Sequence, residues 1–124
     1  MTRSRPSETI PTFEPRGNTV PKLDRALRDL SSKAAELSEA AEKYGKVRKA
    51  QDRAHEKTVE AYEEWRDETP PSEATMQRLR KAQAKENSAI HDSNVAEDAL
   101  RAAASAFSTA LAEFFSAVSQ ATSH

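Results

Sequence analysis

Mostly apolar residues recur at heptad spacing along two long stretches of this chain, and a Pro-Pro turn separates the two stretches. In the first stretch, positions seven residues apart are Leu23, Leu30, Leu37, Tyr44, Gln51, Thr58 and Trp65. In the second, spacings of three and four alternate through Met76, Leu79, Gln83, Glu86, Ile90, Ser93, Glu97, Leu100, Ala104, Phe107, Leu111, Phe114, Val118 and Ala121. Such rows are typical of the seam where coiled-coil helices touch. The sequence therefore predicts an all-α fold: a long antiparallel two-helix coiled-coil hairpin preceded by an extended, Pro-containing N-terminal arm.

Prolines and capping residues set the predicted boundaries. Because Pro6, Pro11 and Pro15 disfavour helix, residues 1–20 are expected to form an extended or disordered arm. Helix 1 is predicted over about 21–66, with Asn18 or Thr19 as its N-cap, and the turn over 67–71. Helix 2 is predicted over about 72–122, capped by Ser72. The hairpin is thus a single domain over residues 21–122.

A second apolar row beside the first-helix seam changes position midway. Its members are Leu27, Ala34 and Ala41, followed by Val47, Ala54 and Ala61. This one-residue shift falls at Gly45, where glycine tolerates a local change of supercoil. We therefore expect the seam to change register near Gly45.

The middle of the predicted seam is polar. Its members are Gln51, Gln83, Glu86 and Glu97. Polar residues on a seam cost stability but restrict register and partner choice. We therefore predict that these four residues specify register, with a water-filled middle as the alternative.

No combination of residues suggests catalysis, a cofactor or a small-molecule substrate. The chain has no cysteine, and His55, His91 and His124 lack metal-ligand spacing. Neither a Gly-rich phosphate loop nor a nucleophile elbow is present in the sequence. The sequence therefore predicts a non-enzymatic protein without a bound metal.

Charge provides weak grounds for nucleic-acid binding. Basic residues cluster at Lys43, Lys46, Arg48, Lys49, Arg53 and Lys57, and again at Arg78, Arg80, Lys81 and Lys85. Acidic residues interleave with them at helical spacing, and the net charge of the chain is −1. The clusters are therefore interpreted as solvated faces with internal ion pairs, and not as a nucleic-acid interface.

The last quarter of the chain is nearly uncharged, since Glu113 is the sole charged residue between Ala102 and Ala121. Alanine, serine and threonine dominate this stretch, which argues against a transmembrane segment. The basic N-terminus is not followed by an apolar segment, so no signal peptide is expected. These features favour a location in the cytoplasm or in a particle assembled inside the cell.

The expected working surface lies in this uncharged region. Phe115 follows the seam residue Phe114 and is rotated by about 100° from it, so it points away from the other helix. Phe107, Phe115, Val118 and, on the arm, Phe13 are the predicted partner-interface residues. We expect a structural protein that self-associates or docks into a larger assembly, such as a virion or a multisubunit complex.

A second hypothesis comes from the tip of the predicted hairpin. The hairpin length and Trp65-Arg66-Asp67 resemble the WXG100 proteins of type VII secretion, whose Trp-x-Gly lies between two helices. This chain has Asp67 where that family has glycine, and neither Tyr44 nor Tyr62 is followed by an acid four residues later. The resemblance implies a small secreted helical hairpin. A binder of membrane or nucleic-acid surfaces is the third hypothesis.

Overall fold

Two long helices make up the fold. A computed structural model describes residues 19–123, in which α1 spans Thr19–Asp67 and α2 spans Glu73–Thr122. The helices pack against each other as an antiparallel coiled-coil hairpin, and residues 19–123 contain no strand. The predicted fold class is thereby confirmed. Helix α1 begins two residues before its predicted start, and residues 1–18, with Phe13, lie outside the described residues.

The turn between the helices ends at the predicted cap. The backbone N–H of Thr75 donates to Ser72 Oγ over 3.1 Å, which satisfies one of the free donors at the start of α2. The N–H of Ser72 itself donates to Glu68 Oε1 over 2.6 Å. Ser72 therefore caps α2 as predicted.

Contacts divide the hairpin into two units. The middle unit is Ser38–Ala102. Within the described residues, the terminal unit combines residues 19–37 with residues 103–123.

In the middle unit, buried and half-buried residues follow an uninterrupted heptad repeat on both helices. On α1 they are Ala40, Tyr44, Val47, Gln51, Ala54, Thr58, Ala61 and Trp65. On α2 they are Thr75, Leu79, Ala82, Glu86, Ala89, Ser93, Ala96 and Leu100. The repeat continues past Gly45, with Ala40 half-buried and Ala41 exposed. The predicted register shift at Gly45 is therefore wrong.

In the terminal unit, a seam of the same spacing is present. On α1 it consists of Leu23, Ala26, Leu30, Lys33 and Leu37. On α2 it consists of Ala103, Phe107, Ala110, Phe114, Ala117 and Ala121. Leu27 and Ala34, which the sequence suggested for the flanking row, are exposed.

Every second residue of the predicted α2 seam is displaced by one position from the residue that lies on the seam in the structure. Gln83, Ile90 and Ala104 are exposed, and the row that faces α1 is instead Thr75, Ala82, Ala89, Ala96, Ala103, Ala110 and Ala117. Small residues at one seam position of every heptad let two helix backbones approach closely. In the middle unit the approach is close enough for Thr58 Oγ1 of α1 to lie 3.1 Å from the carbonyl oxygen of Ala82 on α2. Close helix contact therefore favours alanine over the larger neighbouring residues.

Candidate functional site

Three side chains of α1 make polar contacts with α2 in the middle unit. Arg78 Nε donates to Glu64 Oε1 over 2.9 Å, and Thr58 Oγ1 reaches the Ala82 carbonyl. His55 Nδ1 and Glu86 Oε2 lie 2.7 Å apart. From one contact to the next, the α1 residue number falls as the α2 number rises. The three contacts therefore hold the antiparallel register.

Of the two side-chain pairs among these contacts, the pair of His55 and Glu86 has the less exposed carboxylate. The Glu86 side chain is only 18% exposed, while that of His55 is 64% exposed. An ionised carboxylate only accepts hydrogen bonds, so His55 Nδ1–H is the donor. The hydrogen bond with His55, and after it the hydroxyl of Thr58, hold the pKa of Glu86 below its ordinary value, although burial raises it.

The other predicted register residues have different surroundings. Gln51 is half-buried on the seam, where its Oε1 accepts from Arg48 over 3.1 Å. Gln83 is exposed, and Glu97 accepts from Arg101 on its own helix over 2.6 Å. Only Gln51 and Glu86 of the four therefore lie on the seam. His55, which supplies the contact across it, was not among the predicted residues.

Acid should weaken the fold through Glu86. Folding lowers the pKa of Glu86 from its value in the unfolded chain, which is about 4.3. The ionised carboxylate therefore stabilises the fold above that pH, and this stabilisation is lost as the pH falls through the pKa of Glu86 in the folded state. We expect the free energy of unfolding of the wild type to fall between about pH 5 and pH 3, and less steeply in Glu86→Gln. Urea denaturation at several pH values measures both slopes.

A double-variant cycle separates this pair from other carboxylates, including Glu68, whose pKa is lowered chiefly by the backbone N–H of Ser72. His55→Ala should reduce the acid slope by a similar amount to Glu86→Gln, and combining them should add little. Fully additive losses would show that the two side chains do not act as a pair.

The terminal unit has an apolar surface on one side of the helix pair. Phe115 of α2 is 60% exposed and Leu27 of α1 is 48% exposed. Leu111 and Val118 are half-buried beside Phe115, one turn away on either side. Phe107, in contrast, lies on the seam. The predicted interface residues thus separate into a seam residue, Phe107, and two surface residues, Phe115 and Val118.

The opposite side of the terminal unit is charged. A groove of about 410 Å³ lies between the two helices there, with Ala26 and Ala117 among its lining residues. Lys22, Arg25, Asp29 and Glu113 also line this groove and supply charges of both signs. The two sides of the unit therefore differ, and only the side of Leu27 and Phe115 is apolar.

The remaining features concern metal binding and membrane insertion. Within residues 19–123, no group of three or more His, Cys, Asp or Glu side chains is placed to hold a metal ion. Helix α2 is long and apolar enough in one 18-residue window to cross a membrane by length and composition, and 6% of that window is buried. Length and composition are the whole of this match, so the expectation that the chain has no transmembrane segment stays a prediction.

No family model, curated protein or solved structure matches this chain.

Proposed function

We propose that this chain is a non-enzymatic helical hairpin that works through protein–protein contacts, by self-association or by docking into a larger assembly such as a virion or a multisubunit complex. The contacts are made by the apolar surface of the C-terminal third, around Phe115, together with the N-terminal arm that contains Phe13.

One observation supports this proposal above all. Among residues 19–123, the apolar side chains that are buried are three alanines: Ala96, Ala110 and Ala121. Large apolar side chains such as Leu27 and Phe115 stay about half exposed. An alanine side chain contributes little hydrophobic stabilisation, since each buried methylene is worth about 0.8 kcal/mol. Such a thin core and such exposed large apolar side chains favour contact with another protein.

The charged middle of α1 is the competing surface. Lys46 and Lys49 are exposed, and an ion pair between exposed charges contributes only about 0–1 kcal/mol and is weakened by salt. The stabilisation gained by burying the uncharged patch around Phe115 is not weakened by salt in this way. This contrast favours the apolar surface as the interface.

The elution size of the chain in an extract of its source cell tests the proposal. A tagged wild-type chain should elute from size-exclusion chromatography of the extract well ahead of its free 13.7 kDa form. Phe115→Asp should elute as the free chain, because an unpaired charge at an apolar interface is costly. Circular dichroism of the purified variant should show unchanged helix content.

Charge reversal supplies the control. Lys46→Glu combined with Lys49→Glu should leave the assembly in place. Elution of the wild type as the free chain would overturn the proposal. Loss of assembly in the lysine variant, with assembly kept in Phe115→Asp, would move the interface to the charged surface.

A further inference from the structure

Helix α2 carries a second row of heptad spacing within the terminal unit, about 100° around the helix from the seam with α1. Its members are Ala104, Ser108, Leu111, Phe115, Val118 and Thr122. None of the six is charged, and none is fully buried. We call this row the outer seam. Coiled-coil spacing on an accessible face is typical of a surface that packs against a further helix.

Charged residues lie at the N-terminal end of the outer seam and on the opposite side of α2. One turn before Ala104 the row would continue through Arg101 and Glu97, which form an ion pair on the helix surface. Glu113, the sole charged residue between Ala102 and Ala121, lies on the opposite side of α2, facing the charged groove. The outer seam is therefore an uncharged stripe that two identical surfaces can share without repulsion.

The order of residue sizes favours an antiparallel copy of the same helix. The spacings along the outer seam are four, three, four, three and four, so they are the same in both directions. Reversing the row places Leu111 opposite Phe115 in the two central layers, Ser108 opposite Val118 next, and Ala104 opposite Thr122 at the ends. Each copy presents the same patch to the other, as a two-fold interface requires.

The hydroxyl group of Thr122 does not oppose this packing. The hydroxyl of Thr122 is 3.0 Å from the carbonyl oxygen of Val118 on its own helix, so it is already satisfied. Leu27 of α1 flanks the same side, because antiparallel helices place equivalent flanking rows next to each other. It can add apolar area at the edge of the contact.

From these observations we infer that the partner of the outer seam is a second copy of this chain, so that two hairpins form a four-helix dimer through antiparallel contact of α2 with α2. This inference rests on the proposed function and names the partner at the same surface.

Sedimentation equilibrium of the purified full chain tests the inference. The wild type should be a dimer, and Phe115→Asp should weaken dimerisation by about thirtyfold or more while keeping its helix content. Val95→Asp is the matched control, since Val95 is 52% exposed on the same helix in the middle unit. It should remain a dimer. A monomeric wild type, or a Phe115→Asp variant that dimerises like the wild type, would overturn the inference.

Thiol crosslinking tests the orientation, and the absence of native cysteine makes it simple. In the antiparallel dimer Ser108 of one copy faces Val118 of the other, while the two Ser108 residues are separated by about 15 Å along the axis. A mixture of Ser108→Cys and Val118→Cys should crosslink with a short bismaleimide, and neither variant should crosslink alone. Crosslinking of Ser108→Cys alone would indicate a parallel pair and overturn the arrangement.

A lipid surface is the competing occupant, because α2 is apolar enough to enter a bilayer by composition. Vesicles of phosphatidylcholine and phosphatidylglycerol should leave the wild type unbound. Binding of a monomeric wild type that Phe115→Asp abolishes would overturn the second-copy inference in favour of lipid. A monomeric purified chain that still assembles through Phe115 in the cell extract would overturn this inference and leave the proposed function standing.

Discussion

Phe107→Ala is expected to lower the free energy of unfolding by about 3 kcal/mol, near the lower end of what removing a core phenylalanine costs. Phe107 is half-buried on the seam of the terminal unit, where its neighbours along the seam of α2 are the alanines Ala103 and Ala110. Alanine side chains cannot reach into the space left by the ring, so the cavity persists. Chemical denaturation followed by circular dichroism measures the loss.

Phe115→Ala is the matched control for Phe107→Ala, because it makes the same change on the same helix. Phe115 is 60% exposed, and its ring contacts that of Phe114 at a centroid distance of 6.1 Å. At concentrations where the chain is monomeric, its removal should change the unfolding free energy by no more than about 0.5 kcal/mol. Equal losses for the two phenylalanines would show that Phe107 is not on the seam.

The sequence predicts the parts of the fold that depend on large or specialised residues. The row from Leu23 to Trp65 is half-buried throughout. It could be predicted because the large apolar side chains in it recur every seven residues and no neighbouring row competes with it. Ser72 caps α2 for a local reason that needs no tertiary information. The same reasoning placed Phe115 off the seam, and the structure leaves it exposed.

The second row on each helix could not be predicted in this way. Two candidate rows differed by one residue, and the sequence suggested the larger side chains, such as Leu27 over Ala26 and Leu111 over Ala110. The deciding factor is the distance between the helix axes, which is a tertiary property. The apolar surface of α2 contains both the seam and the outer seam. Both rows have heptad spacing, so periodicity alone does not predict which of them faces α1.

The contact between His55 and Glu86 was missed although the sequence contains a sign of it. Counting equally outward from Pro70-Pro71 along the two arms brings residue 55 opposite residue 86, as the structure shows. When a histidine and a glutamate lie at the same distance from the turn and one of them is on the seam, the two are candidates for a hydrogen bond between the helices. Treating each residue singly made His55 an ordinary surface histidine.

Ala96→Leu is expected to destabilise the fold by about 2 kcal/mol, as overpacking a closely packed site does. Ala96 is 3% exposed on the seam of the middle unit, so added methylenes must separate the helices there or shift neighbouring side chains. Ala99→Leu, an exposed position one turn later, should change the unfolding free energy by no more than about 0.5 kcal/mol, since leucine and alanine are both good helix formers. Denaturation curves of the two variants compare them directly. A stabilising Ala96→Leu would mean that the larger residue fills a gap, and the row of alanines would then not set the distance between the helices.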